Sequence, residues 1–475
     1  MTTQAYPSHP VAPPLLAPRA WRPRKSIYFY FLLFLLAAYA VGGHLTAYIG
    51  VRPFYIGEIA LFCGLISFAI GLRRNKSRRI FLTPCSVLLI LFMILGAIRT
   101  FPYVGQYGIA ALRDAVVWIY GAFAFIMGGL LLRDETRLGL ILVYFRRFSK
   151  FYIAIGSFLW VYITFLQFRV PIFLMGRAPR YEEVLIWMGA VTALVFSKVF
   201  NYSPVWAVLL CLDVILLFPQ NRAGFVAYLS VLLLCWIVNP VSRKFWLLAS
   251  VGALIVGFMA ILDVHITTGR RDLSVSQLTT DVESVFDSQS QSTDEQSTKK
   301  WRIEWWTKIV DYTIFGDYFW TGKGFGINLA TDDHFQVDPR FQTVRSPHSG
   351  HMGILAREGV PGFVLWIALN LLWVFSLSSR LLHAKLRSRK HWSALILVVM
   401  SFWLASLVVI SFGVELEGPM VGIPFWTNYG IGLAIIYIYH RRPYLLDPPP
   451  AQPTWRHAII PNAATYNTGV QARPA

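Results

Sequence analysis

The stretch SALILVVMSFWLASLVVISFG, residues 393–413, contains no charged side chain. As an α-helix with a rise of 1.5 Å per residue it would extend about 30 Å, the thickness of the hydrocarbon core of a bilayer. An amphipathic helix of a large soluble protein would carry charged side chains along its solvent-facing side, and this stretch has none. We therefore interpret it as a membrane-spanning helix.

Apolar blocks of similar length, separated by short charged segments, recur along the whole chain. Of its 475 residues, 56% are hydrophobic and 14% are charged, whereas an average soluble domain has about 25% charged residues. We predict an all-α polytopic membrane protein with about twelve transmembrane helices. The predicted spans are residues 27–47, 54–72, 80–98, 115–132, 151–168, 183–200, 204–220, 223–239, 245–264, 361–379, 393–413 and 424–440.

The positions of the basic residues predict the orientation of these spans. Loops and a tail that follow even-numbered spans contain basic clusters: Arg73, Arg74, Lys76, Arg78 and Arg79; Arg133, Arg137, Arg146, Arg147 and Lys150; Arg243 and Lys244; Arg380, Lys385, Arg387, Arg389 and Lys390; Arg441 and Arg442. Short loops rich in Lys and Arg remain on the cytoplasmic side. We therefore predict that both termini are cytoplasmic. The one large loop, residues 265–350 between predicted transmembrane helices nine and ten (spans 245–264 and 361–379), is then periplasmic.

The net charge of +19 would also suit a nucleic-acid-binding protein. Its placement in short loops between apolar blocks instead follows the positive-inside rule, so we exclude nucleic acid as a partner and expect membrane lipids. The four cysteines lie within apolar spans without CxxC spacing, which supports neither a disulfide framework nor a zinc site. They are Cys63, Cys85, Cys211 and Cys235.

The two ends of the chain differ from the apolar blocks. Residues 1–26 are rich in Pro and Ala and lack the apolar core of a signal peptide. Residues 443–475 contain a proline run. We predict that both are disordered cytoplasmic tails, so that residues 27–442 form the transmembrane domain.

The large loop has two parts of different composition. Residues 272–300 are rich in Ser, Thr, Gln and Asp, which predicts a flexible segment. Residues 301–320 contain four tryptophans and predict a partly helical stretch suited to the membrane interface.

Several motifs are missing from the sequence. It has no GxxxxGK[ST] phosphate loop, no HExxH and no GxSxG. Two interrupted spans in equivalent halves, which would indicate a secondary transporter, are also not evident.

The strongest local pattern is His348-Ser349, nine residues, then Gly359-Val360-Pro361-Gly362. We expect a short helix over 350–358 and predict that Pro361 opens span ten in the first-turn position where proline is tolerated. His348 would then lie at the N-terminal edge of a helix, whose positive end lowers the pKa of an imidazole and keeps it neutral, as a base requires. The alternative is a hydrogen-bonded surface or capping histidine.

Two arginines are predicted to lie on the same side of the membrane as His348. Arg222 is in a tight turn between two apolar spans, where a guanidinium is costly without a partner. Arg302 is in the aromatic stretch. The alternatives are an interfacial anchor for Arg222 and a pair with Glu304 or a lipid headgroup for Arg302. A guanidinium binds diphosphate bidentately and stays charged.

These patterns resemble the O-antigen ligase and polymerase superfamily of polyprenyl-linked glycan transferases. The ligases carry a His, then Asn, Ser or Gln, nine residues and GxxG, which His348, Ser349, Gly359 and Gly362 reproduce. The superfamily's short Ser-Arg-Gly turn is similar to 221–224, with Asn in place of the serine. Its Arg-x-x-x-Trp stretch and following Gly-rich segment resemble Arg302 to Trp306 and residues 322–326.

The resemblance implies about twelve helices, with the large loop capping a lateral cavity. It implies that Arg222 and Arg302 hold the diphosphate of an undecaprenyl-diphosphate-linked glycan while His348 activates an acceptor hydroxyl. It also implies an enzyme of the bacterial inner membrane that acts in lipopolysaccharide or surface polysaccharide biosynthesis, without a cofactor or a metal.

The acceptor is left open by the sequence. The ligase-type pattern favours a lipid-A core, a polymerase adding to a growing glycan is the runner-up, and protein O-glycosylation comes third. From other classes, a lipid-linked sugar flippase or transporter and a non-catalytic scaffold also fit an all-α membrane protein.

Other polar residues offer competing sites. Carboxylate and imidazole groups of the loop could bind a metal, namely Asp332, Asp333, His334 and Asp338, and also His348 with His351. Glu58 and Asp213 are predicted intramembrane acids, with either a function or an internal pair to an arginine such as Arg113.

Overall fold

The computed structural model describes residues 26–51, 53–73, 77–163, 179–217, 221–240, 250, 266–267, 272–273, 293–336 and 344–447. The helices of the first half are α1 (Ile27–Gly42), α2 (His44–Ala47), α3 (Ile56–Leu72), α4 (Pro84–Tyr107), α5 (Ile109–Asp114), α6 (Val116–Ile119), α7 (Ala122–Arg133), α8 (Arg137–Val161), α9 (Tyr181–Phe196), α10 (Pro204–Leu217) and α11 (Arg222–Val238). Those that follow are α12 (Thr293–Ile314), α13 (Leu329–Asp332), α14 (Gly350–Leu386), α15 (Lys390–Phe412) and α16 (Pro419–Ile438). Two 3₁₀ segments are Ser77–Leu82 and Glu415–Glu417. Two antiparallel pairs of short strands join Gly50–Val51 to Phe54–Tyr55 and Ile266–Thr267 to Asp272–Leu273.

Side-chain caps fix where several of these helices begin. The Thr83 hydroxyl accepts a hydrogen bond from Ser86 N at 3.2 Å, and Pro84 follows in the first turn of α4. Asn221 caps α11 by accepting from Gly224 N at 2.8 Å. Such caps satisfy backbone N–H groups that the first helical turn leaves without partners.

The predicted all-α membrane fold is confirmed in its coarse form. Within the described residues, five segments are long and apolar enough to cross a membrane: Pro84–Tyr107, Val116–Arg133, Gly350–Leu386, Lys390–Phe412 and Pro419–Ile438. Four shorter apolar helices are Ile27–Gly42, Ile56–Leu72, Pro204–Leu217 and Arg222–Val238. The count of twelve and the cytoplasmic placement of both termini stay predictions. Span nine, at 245–264, falls outside the described residues except for Ser250.

Basic side chains from several predicted cytoplasmic loops meet at one end of the bundle. Arg133 donates to the Ser77 hydroxyl at 3.1 Å and also to the Ser67 carbonyl. Arg442 lies 3.4 Å from a carboxylate oxygen of Glu135. We call this the Arg133 end, and the opposite end, where α15 finishes and α14 begins, the His348 end.

The chain remains packed beyond the predicted end of the transmembrane domain at 442. The Asp447 carboxylate accepts from His391 N at 3.0 Å and Trp392 N at 3.1 Å, and Leu446 is buried. These bonds cap the start of α15. The rest of the predicted C-terminal tail, like most of the N-terminal one, lies outside the described residues.

Two predicted boundaries are wrong. Helix α8 begins at Arg137, well before the predicted start of span five at 151. Four of the basic residues assigned to this loop, Arg137, Arg146, Arg147 and Lys150, lie on this helix, where Arg146 stacks on the Phe200 ring at 4.5 Å. Arg133 is the last residue of α7. The predicted flexible segment also ends earlier than 300, because α12 starts at Thr293.

The aromatic stretch is helical, as predicted, but one part of it packs against protein. Trp305 and Ile309 are fully buried and form a small apolar core with Leu355 of α14. Phe315 and Trp320 are instead largely exposed, as the predicted interfacial position requires. Helix α12 is therefore fixed to α14, which begins directly after His348.

Glycine permits the close packing of α7 against α16. A Cβ added at Gly430 would lie 2.3 Å from the Ala124 carbonyl oxygen, far inside van der Waals contact. Beside this crossing, the Trp426 indole donates to the Val117 carbonyl at 3.0 Å. Small residues at such crossings let helix backbones approach each other within a membrane.

We predict that Gly430→Ala destabilises the protein by about 1–3 kcal/mol, because the added methyl group forces α7 and α16 apart. Thermal unfolding of the purified protein in detergent measures this. Gly105→Ala is the matched control, since a Cβ at Gly105 of α4 meets nothing within 4 Å. Equal melting temperatures for the two variants would contradict the proposed crossing.

Candidate active site

His348 has a strained backbone conformation directly before α14. Its φ is 48°, in the left-handed region that side-chain-bearing residues rarely adopt. Its N–H donates to the Ser346 carbonyl at 2.8 Å, and the Ser349 hydroxyl caps α14 by accepting from Met352 N at 3.4 Å. Such strain persists only where the surroundings impose it, and it is concentrated at functional sites.

The two residues before His348 are held by different elements. The Ser346 hydroxyl lies 2.8 Å from each carboxylate oxygen of Glu417, in the second 3₁₀ segment. The Trp306 indole of α12 donates to the Pro347 carbonyl at 2.8 Å. These bonds fix the segment on both sides and maintain the turn at His348.

Arg345, the residue before Ser346, is held by the buried carboxylate of Asp114. Asp114 is 2% exposed and lies 2.9 Å from Arg113, 3.2 Å from Arg345 and 3.1 Å from Arg357. It also accepts from Gly326 N at 3.2 Å. Burial alone would raise the pKa of Asp114, but the three guanidinium charges hold it below its ordinary value. Asp114 is therefore an anion that ties α5, the loop and α14 together.

The GxxG part of the motif produces a kink onto which the Gly-rich segment docks. Gly359 has a φ of 70°, and a Cβ there would lie 2.5 Å from the Phe319 carbonyl oxygen. At Gly362 a Cβ would lie 2.3 Å from the Glu358 side chain. Three backbone bonds join the segments: Val360 N to Phe319 O at 2.9 Å, Lys323 N to Ala356 O at 2.8 Å and Gly324 N to Arg357 O at 3.0 Å. Glycine is thus required at 359 by its backbone conformation and at 362 by the lack of space for a side chain.

The imidazole of His348 is partly buried and lies 5.8 Å from the Trp301 ring, between centroids. Burial lowers its pKa, and the positive charges of Arg302 and Arg180 lower it further. The lowered pKa agrees with the expectation from the sequence. The expected cause was the positive end of a helix, whereas the causes in the structure are burial and two arginines. A lowered pKa favours the neutral ring, the form that can act as a base.

Arg302 reaches the C-terminal end of α15. Its guanidinium lies 3.4 Å from the Phe412 carbonyl oxygen, and burial lowers its pKa while the charge of Glu415 acts in the opposite direction. Glu304 lies 3.8 Å from Lys300 and forms its ion pair there instead of with Arg302. Arg302 therefore faces the interior of the His348 end.

Arg180 is a further cation of this end of the bundle, and it was not among the residues predicted from the sequence. It directly precedes α9, with a side chain that is 49% exposed, and its guanidinium lies 3.4 Å from a carboxylate oxygen of Glu415. The residue order Arg180-Tyr181-Glu182-Glu183 at the start of an apolar span was an available signal. Charged side chains at a membrane boundary are costly without partners, which is the reason that also singled out Arg222.

Arg222 is the first residue of α11 and joins the site less directly. The neighbouring Asn221 amide donates to Glu182 of α9 at 2.7 Å. The charge of Glu182 in turn acts on Glu415. The described contacts thus bring His348, Arg302 and Arg180 together, and Arg222 is linked to them through Asn221 and Glu182.

The loop carboxylates that could have bound a metal have a different partner in the structure. Lys323 lies 2.6 Å from Asp332 and 2.5 Å from Asp333, so these carboxylates bind an ammonium group. Asp338 lies outside the described residues. Among the residues that the structure does describe, no cluster of three or more His, Cys, Asp or Glu side chains could hold a metal ion.

The suggested pair of Glu58 with Arg113 is wrong. Glu58 accepts from the Tyr120 hydroxyl at 2.7 Å, while Arg113 binds Asp114. Asp213 accepts from the Ser157 hydroxyl at 2.7 Å. Each acid thus accepts a hydrogen bond from a hydroxyl group far from it in the sequence.

We predict that Arg302→Gln raises the pKa of His348, because it removes a neighbouring positive charge. Diethyl pyrocarbonate modifies only the neutral imidazole, so the pH dependence of His348 modification, followed by peptide mass spectrometry, reports this pKa. Lys300→Gln, on the exposed side of the same helix, is the control and should leave it unchanged. An unaltered midpoint in Arg302→Gln would contradict the proximity of the two groups.

Comparison with known proteins adds an independent finding. Residues 206–367 match the family model described as O-antigen ligase. This match confirms the resemblance to the O-antigen ligase and polymerase superfamily, and the matched segment contains Arg222, Arg302 and His348. None of the curated proteins compared with the chain matches it. The description of this family implies lipid-linked glycan and polysaccharide substrates for its members.

Proposed function

We propose that this protein transfers a glycan from undecaprenyl diphosphate to an acceptor hydroxyl, at the periplasmic face of the bacterial inner membrane. The family match supports a glycan-transferring enzyme of the ligase or polymerase type. The observation that carries the proposal is the His348 imidazole, held in a strained conformation beside Arg302 and Arg180, where burial and these two charges lower its pKa.

In the proposed reaction, the acceptor oxygen forms a bond to the anomeric carbon of the glycan. The bond from that carbon to the phosphate oxygen breaks, and undecaprenyl diphosphate departs with one additional negative charge. The His348 imidazole takes the hydroxyl proton as the acceptor attacks. Arg302 and Arg222 stabilise the charge that grows on the diphosphate.

The arrangement supports catalysis better than transport. Alternating access would require the segments around the site to move apart. The residues before His348 are instead tied to the 3₁₀ segment by Ser346, to α12 by Pro347 and to Asp114 by Arg345. A site held on three sides is preorganised for a chemical step.

We expect His348→Ala to lower the rate of glycan transfer at least ~10²-fold, since positioned general bases contribute about 10²–10⁴-fold. The assay incubates purified full-length protein with lipid-linked glycan and acceptor, and detects the conjugate by gel or mass spectrometry. His334→Ala is a matched control, because His334 also has a positive φ, 64°, and is exposed. A His348→Ala protein with wild-type activity would exclude the base role.

The product separates the members of the superfamily. We propose a ligase acting on a lipid-A core, because His348, Ser349, Gly359 and Gly362 reproduce the ligase-type pattern. Incubation with lipid-linked glycan and lipid-A core should then give a lipid-A conjugate. A long lipid-linked polymer formed without lipid A would show a polymerase, and a glycosylated protein would show a protein transferase.

A further inference from the structure

Glu415 lies where the cations of the site meet. It is in the 3₁₀ segment directly after α15, and its side chain is 7% exposed. One carboxylate oxygen lies 3.4 Å from the Arg180 guanidinium, and the charge of Glu415 also acts on Arg302. The second oxygen is buried without a hydrogen-bond partner among the described residues.

The local backbone directs this carboxylate back over the end of α15. A Cβ at Gly413 would lie 2.0 Å from one Glu415 oxygen, so a side chain there would displace the carboxylate from this position. Arg302 contacts the same short segment through the Phe412 carbonyl. Both guanidinium groups therefore face acceptors of residues 412–415, from different helices.

We propose that Arg180 is a further cation of the diphosphate site, and that the Glu415 carboxylate is the internal counterion that the donor diphosphate displaces. This inference rests on the proposed function and extends it to the regulation of donor binding. The contact of Arg180 with Glu415 is long, at 3.4 Å, and its side chain is half-exposed. Its guanidinium N–H groups can therefore turn toward two phosphates. A diphosphate carries more charge than a carboxylate and makes more hydrogen bonds to the same groups.

The surroundings of Glu415 explain why it can give up its charge. Arg180 faces it from α9 and Arg302 from α12, while Glu182 and Glu183 of α9 and Glu417 of its own segment are acidic neighbours. Burial, and next the charge of Glu182, raise the pKa of Glu415 to about 7. Below that pH the carboxyl is neutral and releases the arginines, and above it the anion competes with the diphosphate. Donor binding should therefore weaken as the pH rises through 7.

The test measures binding of a short-chain polyprenyl-diphosphate sugar to full-length protein in nanodiscs by calorimetry. This probe is a diphosphate diester, whose phosphates do not titrate near neutral pH. The variants are Arg180→Ala, Glu415→Gln and Arg302→Ala, with Lys300→Ala as the control for loss of an exposed positive charge on α12.

At about pH 8, we expect Arg180→Ala to weaken binding ~10-fold, about 1.4 kcal/mol, as for loss of a charge-assisted hydrogen bond. Glu415→Gln should instead tighten binding ~3-fold or more at this pH and reduce the loss of affinity between about pH 6 and pH 8. The Lys300→Ala affinity should match that of the wild type.

Each result bears on a distinct claim. If Glu415 only orients Arg180, Glu415→Gln weakens binding, and the counterion role is overturned. If the wild type binds the probe, Arg302→Ala does not, and Arg180→Ala binds normally, Arg180 is excluded from the site. If the wild type itself does not bind the probe, the proposed function fails before either inference is reached.

Discussion

A buried carboxylate surrounded by guanidinium groups holds the His348 end of the bundle together. Asp114 is almost fully enclosed, and its charge is compensated by Arg345, Arg357 and Arg113. Removing one member of such a group leaves an uncompensated buried charge, at a cost of about 3–5 kcal/mol. The ionic cluster therefore requires α5, the segment before His348 and the first part of α14 to be in place at once.

The geometry of the candidate site follows from that constraint. With Arg345 fixed, the chain has to turn within a few residues to reach the cap of α14 at Ser349, and His348 takes the left-handed conformation at the turn. Trp306 fixes the same turn to α12, and therefore fixes Arg302 relative to His348. Packing, a cap and an ionic cluster thus hold an imidazole beside positive charge.

The sequence predicted part of this arrangement, for physical reasons that can be named. Uncharged blocks such as 393–413 predict spans directly, because a membrane excludes charge along a whole helix. His348, Gly359 and Gly362 were predictable because turns and kinks require particular residues at short spacing. Arg180 and Glu415 were not predicted, since their relation depends on the contact between α9 and a segment far along the chain. The start of α8 was misplaced because Arg146 stacks on Phe200, a partner that periodicity does not show.

The central claim is that the arginines and His348 surround one lipid diphosphate, and a structure of the protein with a bound polyprenyl diphosphate tests it most directly. We expect the phosphates within hydrogen-bond distance of Arg302 and Arg180 and near Arg222, with the His348 imidazole facing the space from which the acceptor hydroxyl attacks. Phosphates bound at the Arg133 end of the bundle, or beyond the reach of both arginines, would contradict it.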